Sequence, residues 1–287
     1  MRNELSLRAV LIMITGMMFI PLGDAAGKLL LQNHSVAPIF VAWARFLTGV
    51  IFIYCIYMGR GFSFGILLNW RVWLRGILIT GAISSILTAL QTEPLVDVFA
   101  AFFVGPIVAY FGAYIFLKEG VTKLRTVLLL IGFCGTMLVI KPTINFSVGI
   151  GFALFSGCCY GAFLVATRWL SDLCNARTLL ISHLFIGTLF MSAPAMNQVP
   201  DLTDVDIIIL LLWSGIASTI GNFLLVVANK MADASRLAPL VYTQLLSATV
   251  LGVVIFADYP DWIGIAGLLL LFLSGLAPLF VPERSSK

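Results

Sequence analysis

Two stretches of this chain repeat one pattern with opposite charge at their ends. Phe99 to Arg125, FAAFFVGPIVAYFGAYIFLKEGVTKLR, is an apolar run long enough to cross a bilayer, interrupted at Pro106 and closed by Lys118, Glu119, Lys123 and Arg125. About 139 residues later, Ala238 to Gly264, APLVYTQLLSATVLGVVIFADYPDWIG, has an apolar run of the same length, with Asp258 in the place of Glu119. Only Asp258 and Asp261 follow it. Basic residues collect at cytoplasmic helix ends, so one element points inward once and outward once. A chain with this property is an inverted repeat, which is a transporter signature.

The composition agrees. Of 287 residues, 61% are hydrophobic and 10% charged, against roughly half and a quarter in soluble domains. The chain is read as an all-α integral membrane protein in contact with the lipid bilayer. Its net charge of +4 sits in short loops, where it reports orientation and gives no support to nucleic-acid binding. Five cysteines with no CxxC spacing make neither a disulfide framework nor a metal site. Ala9 to Leu31 is longer than the apolar core of a signal peptide and contains Asp24 and Lys28, so it is read as the first spanning helix.

At about 20 apolar residues per crossing, the chain divides into ten transmembrane helices: 8–31, 36–58, 74–92, 95–117, 124–141, 148–170, 177–196, 206–228, 235–256 and 262–281. Residues 1–146 form a first five-helix repeat and 147–287 a second, joined near Pro142 to Ser147. With the N-terminus inside, the cytoplasmic ends hold Arg2, Arg8, Arg60, Arg71, Arg75, Lys118, Lys123, Arg125, Arg168, Arg177, Lys230, Arg236, Arg284 and Lys287. The outer ends hold only Lys28 and Lys141, while Arg45 stays inside the second helix. A missed helix would scramble this bias, so both termini are expected in the cytoplasm. An odd number of helices per half then forces the halves into opposite senses.

Several motifs carry a resemblance. Pro106 followed thirteen residues later by Glu119, then GFCGTMLVIKP from Gly132, resembles the fourth and fifth helices of the EamA group of the drug/metabolite transporter superfamily. APLVYTQL from Ala238 and DYPDWIGIAG from Asp258 resemble its ninth and tenth helices, although the family usually has Glu where this chain has Asp258. The resemblance implies a ten-helix, two-repeat secondary transporter of the bacterial inner membrane, acting on small metabolites by alternating access. GDAAGKLL, with Asp24 and Lys28, and WARF, with Trp43 and Arg45, look like the branch that holds riboflavin and S-adenosylmethionine uptake proteins. Export of amino acids or drugs is the alternative within the family. A membrane enzyme or scaffold is the alternative outside it.

Ionisable groups inside the hydrocarbon zone mark sites. Asp24 and Lys28 share a helix face one turn apart and can pair with each other. Arg45 is too deep to reach the interface, and Asp24 is its partner by depth, giving a cluster of Asp24, Lys28 and Arg45 suited to an anionic or zwitterionic solute. Asp24 meets a cationic substrate group or carries a coupling proton. Ser84, Thr88 and Gln91 recur on one face of the third helix. Tyr110, Tyr160 and Tyr242 are polar-tipped aromatics at non-terminal depth, the usual lining of small-solute pockets. Gln244, His183 and Asn222 complete the candidate substrate-binding set, with Trp43. Bends are expected at Pro21 and Gly23, Pro106, Gly157 and Gly161, and Pro239. Glu119 and Asp258 are read as structural. No metal, cofactor or catalytic motif is present: HExxH, GxSxG and the P-loop are all absent. The sequence does not separate a monomer from a homodimer.

Overall fold

The computed structural model describes residues 7–57, 64–120, 122–140 and 147–280. Arg2, Arg60, Lys141, Arg284 and Lys287, most of the connection after Pro142, and the side chains of Arg125 and Pro239 lie outside that set. Within it the chain is entirely helical: α1 (Leu7–Asn33), α2 (Pro38–Tyr57), α3 (Trp70–Thr92), α4 (Leu95–Phe102), α5 (Val104–Leu117), α6 (Lys123–Ile140), α7 (Val148–Trp169), α8 (Ala176–Met196), α9 (Val205–Met231), α10 (Ala234–Leu237), α11 (Thr243–Phe256) and α12 (Trp262–Phe280). Taking α4 with α5, seven spans are long and apolar enough to cross a membrane. Three shorter apolar helices at 126–139, 240–256 and 262–274 complete ten.

The bundle is apolar outside and polar inside, as lipid requires. Phe116, Phe155, Leu189 and Val254 are exposed, whereas Asp24, Lys28, Arg45, Arg75, His183, Asn222 and Gln244 are buried. The halves interlock rather than sit side by side. Packing of α1 on α9 is matched by α7 on α3, and α5 on α7 by α11 on α1. Likewise α2 on α9 is matched by α8 on α3, while α2 on α8 and α6 on α12 are each their own counterpart. Every one of these contacts joins one half to the other, as two inverted repeats related by a pseudo-two-fold axis demand.

The fourth span of each half is broken at a corresponding place. α4 ends at Phe103, which lies near φ −72°, ψ 5°, and α5 begins at Val104, with Pro106 in its first turn. In the second half a 3-10 segment, Ala238–Tyr242, with Pro239 at its start, separates α10 from α11. The exits match too. Lys118 and Ala257 both adopt left-handed φ, 53° and 55°. The amides of Glu119 and Asp258 close back on the carbonyls of Ala113 (3.3 Å) and Gly252 (3.0 Å).

At the other expected bends the helices are continuous. α1 runs unbroken through Pro21 and Gly23, and α7 through Gly157 and Gly161, and the three glycines serve close crossings. A methyl group on Gly157 would lie 2.3 Å from the Phe102 carbonyl oxygen, the one that Pro106 leaves without its helical donor. One on Gly161 would lie 2.4 Å from the Gly105 carbonyl. A further difference concerns α3, which starts at Trp70 rather than 74, and so carries Arg75 inside the bundle instead of at a helix end.

Gly157→Ala is expected to lower the melting temperature of the purified protein, at a cost of about 1–3 kcal/mol for overpacking. Gly151→Ala, on the same helix with open space around it, is expected to be neutral or up to about 1 kcal/mol stabilising.

Candidate functional site

The deepest polar interaction joins α1, α2 and α9. Arg45 Nη1 donates to Asp24 Oδ1, Nη2 donates to the Gly23 carbonyl (2.7 Å) and Nε donates to Ser214 Oγ (2.7 Å). Ser214 in turn donates to the same Gly23 carbonyl (2.8 Å). Glycine makes this possible at two positions on one face of α1. A Cβ on Gly23 would lie 2.8 Å from the Ser214 carbonyl, and one on Gly27 would lie 2.4 Å from Arg45 Nη2. Both charged groups are 3% exposed or less, so each depends on the other for neutralisation.

Beside this pair lies a central cavity of about 30 Å³, roughly two water volumes. Asp24, Arg45, Tyr160, Asn222 and Gln244 line it, with Ile20, Ile79, Ala82, Ile83, Ile86, Phe102, Ser156 and Ser218. Four buried polar atoms here have no protein partner: the Tyr160 hydroxyl, Asn222 Oδ1 and both Oε1 and Nε2 of Gln244. Such groups are costly in an apolar interior unless something meets them. The Tyr160 ring packs on Phe102 at 4.8 Å between centroids, giving the cavity an aromatic wall.

Two ion-pair clusters close the bundle at opposite ends. Lys28, buried near the end of α1, reaches Asp258 after α11 (3.2 Å) and lies 4.4 Å from the Phe256 ring centre. Arg168, in the last turn of α7, reaches Glu119 after α5 (3.4 Å) and Asp233 before α10 (2.8 Å). Lys230 adds bonds to the carbonyls of Ser171 and Cys174. Each cluster joins the first helix of one half to the end of the fourth span of the other.

Of the residues singled out from sequence, Asp24, Arg45, Tyr160, Asn222 and Gln244 come together at the cavity. The rest lie elsewhere. Lys28 does not pair with Asp24, because Arg45 occupies that carboxylate and Lys28 finds Asp258. Tyr110 bonds Thr126 Oγ1 (2.9 Å), and Tyr242 donates to the Leu129 carbonyl (3.3 Å), so both hydroxyls are held by α6. Trp43 donates to Ser192 Oγ (3.0 Å), and Gln91 is exposed at the end of α3. Ser84 and Thr88 bond carbonyls of their own helix. His183 sits beside Arg75. Sequence reasoning did not single out Ser156, Ser218 or the isoleucines of α3, whose apolar stripe at helical spacing looks like any packing face.

The EamA-like transporter family matches residues 7–141 and 147–277. An S-adenosylmethionine uptake transporter of Rickettsia felis is 26% identical over 196 residues, 66% of this chain. The match spans 64% of that relative's length, just under two thirds. A riboflavin transporter of Rhizobium johnstonii is 25% identical over 204 residues, covering 69% of this chain and 67% of that one. A solved crystal structure shares the fold, with a TM-score of 0.75 at 16% identity, over 97% of this chain and 99% of the other.

Arg45→Met strands the Asp24 carboxylate in the bundle, and a loss of about 3–5 kcal/mol is expected, read as a lowered melting temperature in detergent. The double variant Arg45→Met/Asp24→Leu should recover most of it. Melting of the single variant at the wild-type temperature would show that the pair carries no weight.

Proposed function

Because the chain belongs to the EamA-like transporter family, a family of transporters and not of enzymes, we propose that it takes up a small organic metabolite bearing a planar, amide-like ring edge. The observation that carries this is the set of unpartnered polar atoms at the cavity. Gln244 offers a donor and an acceptor in one plane, Asn222 an acceptor and Tyr160 a hydroxyl that does either. That set complements a heterocycle with adjacent N–H and C=O or amidine groups. The solutes named for the relatives, S-adenosylmethionine and riboflavin, both contain a nitrogen heterocycle of this kind. The neutralised Asp24–Arg45 pair adds polarity without net charge, and Phe102 with Tyr160 supplies a stacking face.

Transport proceeds by alternating access between two repeats, residues 1–146 and 147–287. The charge bias of the loops supports an orientation with both termini in the cytoplasm, and the family resemblance favours a bacterial inner membrane. On that orientation Lys28–Asp258 closes the outer end and Arg168–Glu119–Asp233 the inner end. A cavity of about 30 Å³ is a contracted state, far below the few hundred Å³ that a metabolite needs. Separating one ion-pair cluster at a time widens it toward one side. When α1 moves from α2, Asp24 loses its guanidinium partner and becomes a carboxylate able to take a coupling proton.

The test uses proteoliposomes holding this protein alone, with riboflavin and S-adenosylmethionine as labelled solutes in counterflow. Gln244→Leu and Asn222→Leu are expected to raise the half-saturation concentration about tenfold or more. Gln244→Leu, which removes an amide with neither atom paired, should leave the melting temperature unchanged or higher, whereas Asn222→Leu also gives up the bond from Nδ2 to the Ser218 carbonyl (2.9 Å). Variants that carry both solutes as well as the wild type does, or a wild type that carries neither, would contradict the proposal.

A further inference from the structure

A second polar cluster lies outside the cavity, one helical turn away. Arg75 precedes the cavity residue Ile79 by four positions on α3, and Phe163 follows the cavity residue Tyr160 by three on α7. Arg75 is 0% exposed. Its Nε donates to Thr167 Oγ1 (2.8 Å) and its Nη1 to the Leu179 carbonyl (2.8 Å), and its guanidinium sits 4.6 Å from the Phe163 ring centre. Nη1 also meets His183 Nδ1 at 3.2 Å. A guanidinium only donates, so Nδ1 is the acceptor in that contact and the ring proton sits on Nε2.

Two donors are then left over. Arg75 Nη2 and His183 Nε2 are buried and have no partner. Among the described residues no carboxylate pairs with Arg75. Cys174, in the loop before α8, does not supply the missing charge: burial pushes its thiol up and keeps it protonated. Here an unmatched cation and two unmatched donors are enclosed together, and what would satisfy all three is an acceptor carrying negative charge.

The pseudo-two-fold axis shows what is missing. His183 follows Arg45, Ser214 follows Arg75 and Phe163 follows Asp24 by the ~139 residues that separate the two halves. The contact of Arg45 with Ser214, between α2 and α9, is thus the image of His183 with Arg75, between α8 and α3. In the first copy Asp24 provides a carboxylate. In the second, Phe163 stands at that position and His183 at that of Arg45, while Arg75 brings a cation to the place of Ser214 with no carboxylate to meet it.

We propose that Arg75 and His183 form a second binding site, for a small free oxyanion of the carboxylate or phosphate class, which accepts from Arg75 Nη2 and His183 Nε2. The packed rings of Tyr160 and Phe163, 6.0 Å apart, stand between it and the central cavity, so its occupant is distinct from the solute carried there. A guanidinium edge and an imidazole N–H suit an oxyanion better than a halide, because they offer separate donors to separate oxygens.

The test is binding by the purified full-length protein, independent of any transport assay. Melting is measured in sodium phosphate, sodium acetate and sodium chloride at matched ionic strength. The wild type is expected to melt several degrees higher in phosphate or acetate than in chloride. Phosphate also stabilises proteins by general exclusion from their surfaces, so the deciding comparison is with variants. Arg75→Gln and His183→Gln are each expected to lose most of that increment. A wild type with no increment, or variants that keep it in full, would overturn the site. Equal loss of melting temperature in all three salts would show a purely structural Arg75 and would overturn it as well. If Arg75→Gln does not fold, His183→Gln decides alone. Anion binding by a protein that moves no solute would leave this site standing and remove the carrier proposal instead.

Discussion

A cation held inside an apolar bundle must be matched, and the match found for Arg45 organises the centre of this protein. Three elements meet at its guanidinium: the Asp24 carboxylate and Gly23 carbonyl from α1, the Ser214 hydroxyl from α9, and α2, which carries the arginine itself. The glycines of α1 exist in this context to let that happen, since a side chain at Gly23 or Gly27 would strike α9 or the guanidinium. Removing two charges from water costs several kcal/mol per ion, and only a fully bonded arrangement offsets it. The cavity forms directly beside the pair, so the same interaction that holds three helices together also gives the cavity its charged wall.

The rest of the architecture is one arrangement built twice. Each inter-half packing contact has a counterpart, each fourth span is broken near a proline, and each leaves its helix through a left-handed residue to present an acid. Those acids, Glu119 and Asp258, face cations from the first helix of the opposite half, Arg168 and Lys28. Opposed insertion puts the two ion-pair clusters at opposite ends, so a rocking of the halves that tightens one loosens the other. The copies differ at one place in the core: Asp24, which neutralises Arg45, has Phe163 at its corresponding position, and that ring packs on the guanidinium of Arg75.

Much of the fold was legible because its signals are one-dimensional. Apolar run length marks the ten spans, and that needs no contact map. The Asp24–Arg45 pair was legible from depth alone, because Arg45 had no other acid at its level. Lys28 was misread for the complementary reason: its neighbour Asp24 was visible at helical spacing, while its true partner Asp258 is 230 positions away. Tyr110 and Tyr242 have the composition of pocket residues, but α6 supplies acceptors for both hydroxyls, and only packing shows that. Arg75 was lost to a boundary shift of one turn, since α3 starting at Trp70 turns a helix-end residue into a buried one.

Cross-linking tests most directly the claim that the two ion-pair clusters open in turn around a central cavity. In a cysteine-free background, Lys28→Cys/Asp258→Cys and Arg168→Cys/Glu119→Cys are each bridged with a short bifunctional thiol reagent, and solute counterflow is measured in proteoliposomes. Bridging either pair is expected to stop flux, and reversing the bridge to restore it, while uncross-linked protein of each pair still carries solute. Flux that continues with either end bridged would contradict the account.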